Sequence, residues 1–347
     1  MTFFIFDATL IRRHINPSFI RKKMSCNIRE LAKQAGVSPA TVSRVLNDYP
    51  YVKPEVRKRV IAAAQKNNYS LYKNCYLVIL PENANFGGYL GLILKALQKE
   101  AFQRNYHLSI STEQDLSYTS GAHLFDGVIS LQVKTGLEKR WSMNEILPMV
   151  CVNSLGQKSS NILRVSSDNR QGIYLALDYL KSKGHSRIAF VATDSRLPED
   201  SVDVQERQQF YRKWVQENFP GFKPVFCSLP TQNLCGRKAG SFLKELIRDG
   251  ITALLVPGEG ASALLYYHLN AQKIKVPRDL SIIGMEHKEI SFALTPPETA
   301  IGQNWDLLAA GAFDTLEKIQ QKIPVHDLSI PFQLFERKSV ADLNKRK

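Results

Sequence analysis

The chain has 347 residues, 44% of them hydrophobic, which is more than one core usually holds and enough for two or three packed units. Its formal charge of +14 is unevenly spread: residues 1–75 carry 14 Lys and Arg against 4 Asp and Glu, while the rest of the chain is nearly balanced at 32 against 28. The five Cys (26, 75, 151, 227, 235) form no CxxC pair, the seven His show no HxxxH or HxH spacing, and no apolar run reaches the ~18 residues of a membrane span, so a disulfide framework, a metal centre and a membrane protein are all argued against.

Residues 1–26 open with an apolar stretch broken by Asp7, and Arg12, Arg13, Arg21, Lys22 and Lys23 follow it. A signal peptide carries its positive charges ahead of its apolar run, so export is not expected and a cytoplasmic chain is. The segment reads as a disordered extension, with Met24 as an alternative start, or as a basic arm that adds phosphate contacts.

From Asn27 the helix signals are dense. Asn27 suits an N-cap, Glu30 stands three residues on as in a capping box, and Ile28, Leu31, Ala32 and Ala35 share one helical face. Gly36 permits a reversal, Ser38 caps a second helix, and Pro39 takes its first position, where a missing N–H costs nothing. In that second helix Val42, Val45 and Leu46 face inward, leaving Ala40, Thr41, Ser43 and Arg44 outside. A third helix, 54–67, buries Val56, Val60, Ala63 and Ala64 and exposes Arg57, Lys58, Arg59 and Lys66. Residues 27–69 thus predict an all-α helix-turn-helix headpiece. Short outer side chains let the second helix sink into a major groove while Arg44 reaches base edges, and the local positive charge displaces counterions from phosphates. The candidate DNA-binding residues are Ser38, Pro39, Ala40, Thr41, Ser43, Arg44 and Asn47, with Arg57 as a backbone contact.

A short linker, 70–75, separates the headpiece from the first apolar strand, YLVIL at 76–80. Strand and helix then alternate: a helix near 88–104, DGVISL, MVCV, a helix near 170–183, RIAFVA, a helix near 205–218, ALLV, a helix near 261–272, and LSIIG. Such alternation predicts parallel sheets flanked by helices, with ligands at the carboxyl ends of the strands. A second reading competes late in the chain. GEGASA, at 258–263, follows an apolar strand and precedes a helix, and an acidic residue comes near Glu286, which is a loose dinucleotide fingerprint and the basis for an NAD-dependent enzyme as the alternative. No GxSxG, paired-carboxylate or metal spacing points to other catalysis, and no cofactor is expected on the main reading.

IRELAKQAGVSPATVSRVLN with VKPEVRKRVIAAAQKNNY resembles the DNA-binding headpiece of the LacI/GalR family of transcription regulators. The likeness continues in DNRQGIYLALDYLKSKGHSRIAFV, in VQERQQF, and in VPRDLSIIGMEH with ALTPPETAIGQN, so it covers residues 27 to about 340. It implies a periplasmic-binding-protein-like body, 76–340, of two α/β subdomains crossed three times by the chain: one of about 76–184 and 300–322, the other of about 185–299 and 323–340, with a tail at 341–347. It also implies a ligand-controlled repressor acting as a homodimer on a double-stranded operator, with a small-molecule effector, usually a sugar, in the cleft. Arg207 corresponds to the family's effector-binding Arg, with a surface helix Arg as the plain alternative. Asp168 is either a ligand contact or a helix cap, and Glu259 and Glu286 complete the candidate effector set. The chain departs from the family at Phe210, usually Gly, at Gly258 and Glu259, usually Asn-Asp, and at Glu286 and His287, usually Asp-Asp. These departures imply a ligand of different size or charge, or none. The linker is also shorter than the family's hinge helix, which predicts DNA binding without a central kink.

Overall fold

The computed structural model describes residues 27–46, 49, 51–67, 74–82, 84, 86–112, 125–131, 147–154, 162–193, 202–229, 241–259 and 261–346. The N-terminal extension, Asn47 and linker residues 70–73 lie outside the described residues. The chain divides into two compact units, one ending at Leu71 and the other beginning at Tyr72.

In the first unit, helix α1 (Ile28–Ala35) starts at Asn27, whose Oδ1 accepts the Glu30 N–H, and ends at Gly36, whose left-handed φ of 63° suits a residue without a Cβ. Helix α2 (Pro39–Leu46) is capped by the Ser38 hydroxyl, which accepts the Thr41 N–H at 3.1 Å. It buries Val42, Val45 and Leu46, the three residues its periodicity places inward. Helix α3 (Pro54–Lys66) buries Val60, Ile61, Ala63 and Ala64, whereas Val56, expected inside, is half-buried. Each fully buried Val, Leu or Ile removes roughly 1.5–3 kcal/mol of apolar exposure, so these few side chains hold a small headpiece together. A reciprocal amide pair, with Asn67 Nδ2 donating to Gln34 Oε1 at 2.6 Å, ties the end of α3 to α1.

The second unit contains two sheets. Strands β1 (Cys75–Leu80), β2 (His107–Thr112), β3 (Gly127–Ser130), β4 (Met149–Val152), β5 (Ile162–Ser167) and β11 (Leu328–Ile330) form the first, in the order β11-β5-β4-β3-β1-β2, all parallel. Strands β6 (Ile188–Thr193), β7 (Val225–Leu229), β8 (Ala253–Glu259), β9 (Ser281–Met285), β10 (Thr299–Gly302) and β12 (Gln333–Phe335) form the second, in the order β12-β10-β9-β8-β6-β7, with β12 antiparallel. Alternate residues of each strand serve opposite faces. Tyr76, Val78 and Leu80 pack with α4 (Tyr89–Gln103) and α10 (Trp305–Gln320), while Leu77 and Ile79 join the core on the other side. Over the second sheet, α5 (Asn169–Ser182) and α6 (Val202–Asn218) cover one face, α7 (Ser241–Arg248) with α8 (Ala261–Ala271) cover the other, and the short α9 (Lys288–Ala293) follows β9.

Three of the expected subdomain boundaries move. Helix α5 was assigned by position to the first subdomain, but its stripe Ile173, Ala176, Leu177 and Leu180 packs with Ile188, Phe190 and Trp214 of the second. Strand β10 pairs with β9, Thr299 opposite Ile283, and so closes the second sheet rather than reopening the first. Strand β11, placed by the sequence in the second subdomain, pairs Leu328 with Val165 at the edge of the first. The chain therefore crosses between the sheets at 168, at 303–304 and at 331. Cys75, counted with the linker, is the first residue of β1.

Candidate nucleic-acid interface and effector pocket

The outer face of α2 is polar and short. Ser38, Pro39, Ala40 and Arg44 are exposed, Thr41 and Ser43 are half-buried, and the Ser38 and Thr41 hydroxyls lie 2.9 Å apart. Arg44 is the long cation of that face. Its guanidinium carbon sits 5.9 Å from the ring centre of Tyr49, whose N–H donates to the Arg44 carbonyl at 2.8 Å. Arg57, expected to be an exposed phosphate contact, is half-buried and donates from Nη2 to the Tyr49 carbonyl at 2.8 Å, so its charge is tied into the headpiece. Asn47, expected in the reading set, falls outside the described residues.

In the second unit a cavity of about 280 Å³ opens between the end of β5, the start of α5, the first turns of α6 and β11. Ser154, Ser166, Ser167 and Ser329 line it together with Asp168, Asp203, Glu206 and Phe210. Arg164 also lines it, bonded through Nε and Nη2 to Asp327 at 3.0 and 2.9 Å. Asp168 Oδ1 caps α5 by accepting the Gln171 N–H at 2.9 Å, and the residue also borders the cavity. Phe210, where the resembled family has Gly, fills part of the wall.

The expected effector residues do not all reach this cavity. Arg207 is 5% exposed and is neither a surface residue nor a lining one: Nε donates to Asn169 Oδ1 at 2.9 Å and Nη1 to the Pro257 carbonyl at 3.0 Å. Asn169 then donates to Asp203 Oδ1 and Glu206 Oε2, both at 2.9 Å. A relay from Arg207 through one buried amide thus sets two lining carboxylates, and neither Asn169 nor Glu206 was singled out in the sequence, because their roles depend on a contact between α5 and α6. Glu286 is not among the residues that line this cavity. Arg337 holds both its oxygens, Nη2 to Oε1 at 2.7 Å and Nη1 to Oε2 at 2.8 Å, a bidentate geometry that occupies the carboxylate. Glu259 ends β8 opposite Met285, and its side chain lies outside the described residues. Gly258 continues β8 where the dinucleotide reading needs a tight turn, and the Pro257 carbonyl beside it is taken by Arg207.

Beneath the cavity the crossing strands are stitched by Asn153, Ser167 and Gln303. Gln303 Oε1 accepts from Asn153 Nδ2 and Ser167 Oγ, both at 2.6 Å, and Asn153 Oδ1 accepts the Ser167 N–H at 2.7 Å. Beyond it, Glu298 is fully buried with its carboxyl against Gly284, where a Cβ would come within 2.5 Å. Burial pushes this carboxyl up to about 8, the neighbouring Glu286 charge adds to the shift, and Ser262, Ser291 and Arg337 oppose it. Among the described residues, no group of three or more His, Cys, Asp or Glu could hold a metal ion, and no helix is long and apolar enough to cross a membrane.

Residues 27–70 match the family described as bacterial regulatory proteins, lacI family, and residues 177–340 match a periplasmic binding protein-like domain. The chain is 26% identical over 337 residues to the uncharacterized HTH-type transcriptional regulator YkvZ of Bacillus subtilis strain 168, covering 90% of this chain and 99% of that protein. It is 26% identical over 341 residues to the HTH-type transcriptional repressor PurR of Histophilus somni strain 2336, covering 91% and 99%. Among solved structures it is similar to the Lac repressor dimer bound to operator and the anti-inducer ONPF, with a TM-score of 0.62 at 21% identity over 91% of this chain and 99% of that one.

Proposed function

Because residues 27–70 match the lacI family of bacterial regulatory proteins and residues 177–340 a periplasmic binding protein-like domain, we propose that the chain is a cytoplasmic, sequence-specific transcription repressor of that family, working as a homodimer on an operator in double-stranded DNA and controlled by a small molecule in the cavity between its two sheets. The observation that carries the DNA-binding half is α2, capped by Ser38, held by Val42, Val45 and Leu46, and presenting small polar residues and Arg44 outward. Two such helices related by a dimer axis suit two half-sites one helical turn or more apart.

In the cavity, Asp168 and Glu206 are the effector contacts, and Arg207 acts from behind through Asn169. The cavity adjoins the crossing strands, so a ligand favouring one arrangement of the two subdomains would shift the population of the DNA-binding state. A sugar is the ligand class the family suggests. Carboxylates and serine hydroxyls suit its hydroxyl groups, and Phe210 sets its size. The bound operator is expected without a sharp central bend, because the linker is too short for a stable hinge helix.

The reading is tested by fluorescence titration of the full chain against a pool of genomic fragments, alone and with a sugar library. Saturable binding to a few fragments, altered by a sugar that also raises the melting temperature, supports it. Equal binding to all fragments with every sugar contradicts it.

A further inference from the structure

Arg44 stands exposed on the outer face of α2, at the end of a flexible side chain that must be fixed before it can read a base. Tyr49 stands beside it. The Tyr49 N–H donates to the Arg44 carbonyl at 2.8 Å, closing the end of α2, and the Tyr49 carbonyl receives Arg57 Nη2 at 2.8 Å, so the main chain of Tyr49 is held from both sides. Its ring, half exposed, lies under the Arg44 guanidinium at 5.9 Å, and Tyr51 packs against that ring edge-on, with centres 6.0 Å apart and planes at 63°. A cation is drawn to an aromatic face, and stacking engages the flat side of a guanidinium while leaving its edge N–H groups for a bidentate contact with guanine O6 and N7.

We propose that Tyr49 is a positioning residue for DNA reading: it aims Arg44, and Arg57 acts through it by anchoring its carbonyl to α3. The proposal rests on the assignment of α2 as the reading helix. It gives the exposed aromatic pair of the 49–51 turn a role that charge and helical periodicity do not reveal.

The test is a double-mutant cycle with the full chain, measuring affinity for the preferred duplex, for its single-base variants and for unrelated DNA. Tyr49→Leu is expected to lower affinity for the preferred duplex about two- to fivefold, the size of an exposed cation–π contact. The loss should fall at the base pair to which Arg44→Ala becomes indifferent, with unrelated DNA and the melting temperature unchanged. Tyr49→Phe, which keeps the ring, should behave as the unsubstituted chain, and Tyr49→Leu should add nothing once Arg44 is Ala. Additive losses in the double mutant, or equal losses on every duplex, would overturn the positioning role while leaving α2 as the reader. An Arg44→Ala chain that keeps the full base preference would overturn the assignment of α2, and the proposal with it.

Discussion

The headpiece and the body use charged side chains in opposite ways. In the headpiece, Arg44 stands on the surface, and a local pattern of caps and periodicity decides that it faces outward. In the body, Arg207 and Glu286 occupy the positions that the family resemblance marks for ligand, yet both are drawn inside, one onto Asn169 and Pro257 and the other onto Arg337. A short helix bundle has little interior in which to hide a cation. A two-sheet body has enough that a matching residue can serve the frame of a pocket instead of its contents.

That contrast can be broken by substitution, and the largest effect is expected at Glu286. Glu286→Ala leaves Arg337 without its carboxylate in a mostly buried site and should cost about 3–5 kcal/mol of unfolding free energy, read by urea titration. Unchanged stability would return Glu286 to the list of ligand contacts. Glu298 provides the pH arm. Its folded value of about 8 lies above the ordinary glutamate value of 4.5, so the stability it contributes is complete below 4.5 and is lost as pH rises toward 8, an effect on the order of a few kcal/mol. Glu298→Gln should flatten that slope and stabilise the body above neutrality, and parallel pH–stability curves for the two chains would rule the assignment out.

Arg207→Ala strands the Asn169 and Pro257 carbonyl oxygens and should destabilise the body by about 2–3 kcal/mol, besides weakening the response to ligand. If stability holds and only the ligand response disappears, Arg207 touches ligand after all, and the contrast between the two regions weakens. Arg44→Ala should leave stability alone and cost about 1–3 kcal/mol on the preferred duplex only, seen in equilibrium binding.

The headpiece was legible almost residue by residue, because caps and 3.6-residue periodicity are local: Asn27, Gly36, Ser38, Val42, Val45 and Leu46 all stand where the pattern puts them. Val56, half-buried where the pattern puts it inside, and Arg57 were exceptions, the latter because its partner is the Tyr49 carbonyl eight residues away. In the body, apolar runs announced strands β1, β3, β4, β6, β8 and β9. They passed over β2, an edge strand with Ile110 exposed, β11 and β12, three residues each and largely exposed, and also β5, β7 and the fully buried four-residue β10. Helix α10 carries an apolar stripe in Leu308, Ala309, Ala312, Phe313 and Leu316, and although no helix was expected there, the family resemblance, by giving 300–322 to the first subdomain, returned the chain to the first sheet within a few residues of the crossing at 303–304. The pocket was least legible of all. Asn169, Glu206 and Gln303 gain their roles from contacts spanning 34 to 150 positions of sequence.

The most direct test of the account is selection of DNA by the full chain from a random pool, with Arg44→Ala selected in parallel. The account predicts one enriched sequence built of two half-sites related by two-fold symmetry, with one base pair in each half-site losing its preference in the Arg44→Ala selection. A pool that emerges unenriched, or an enriched site that Arg44→Ala reproduces unchanged, would contradict it.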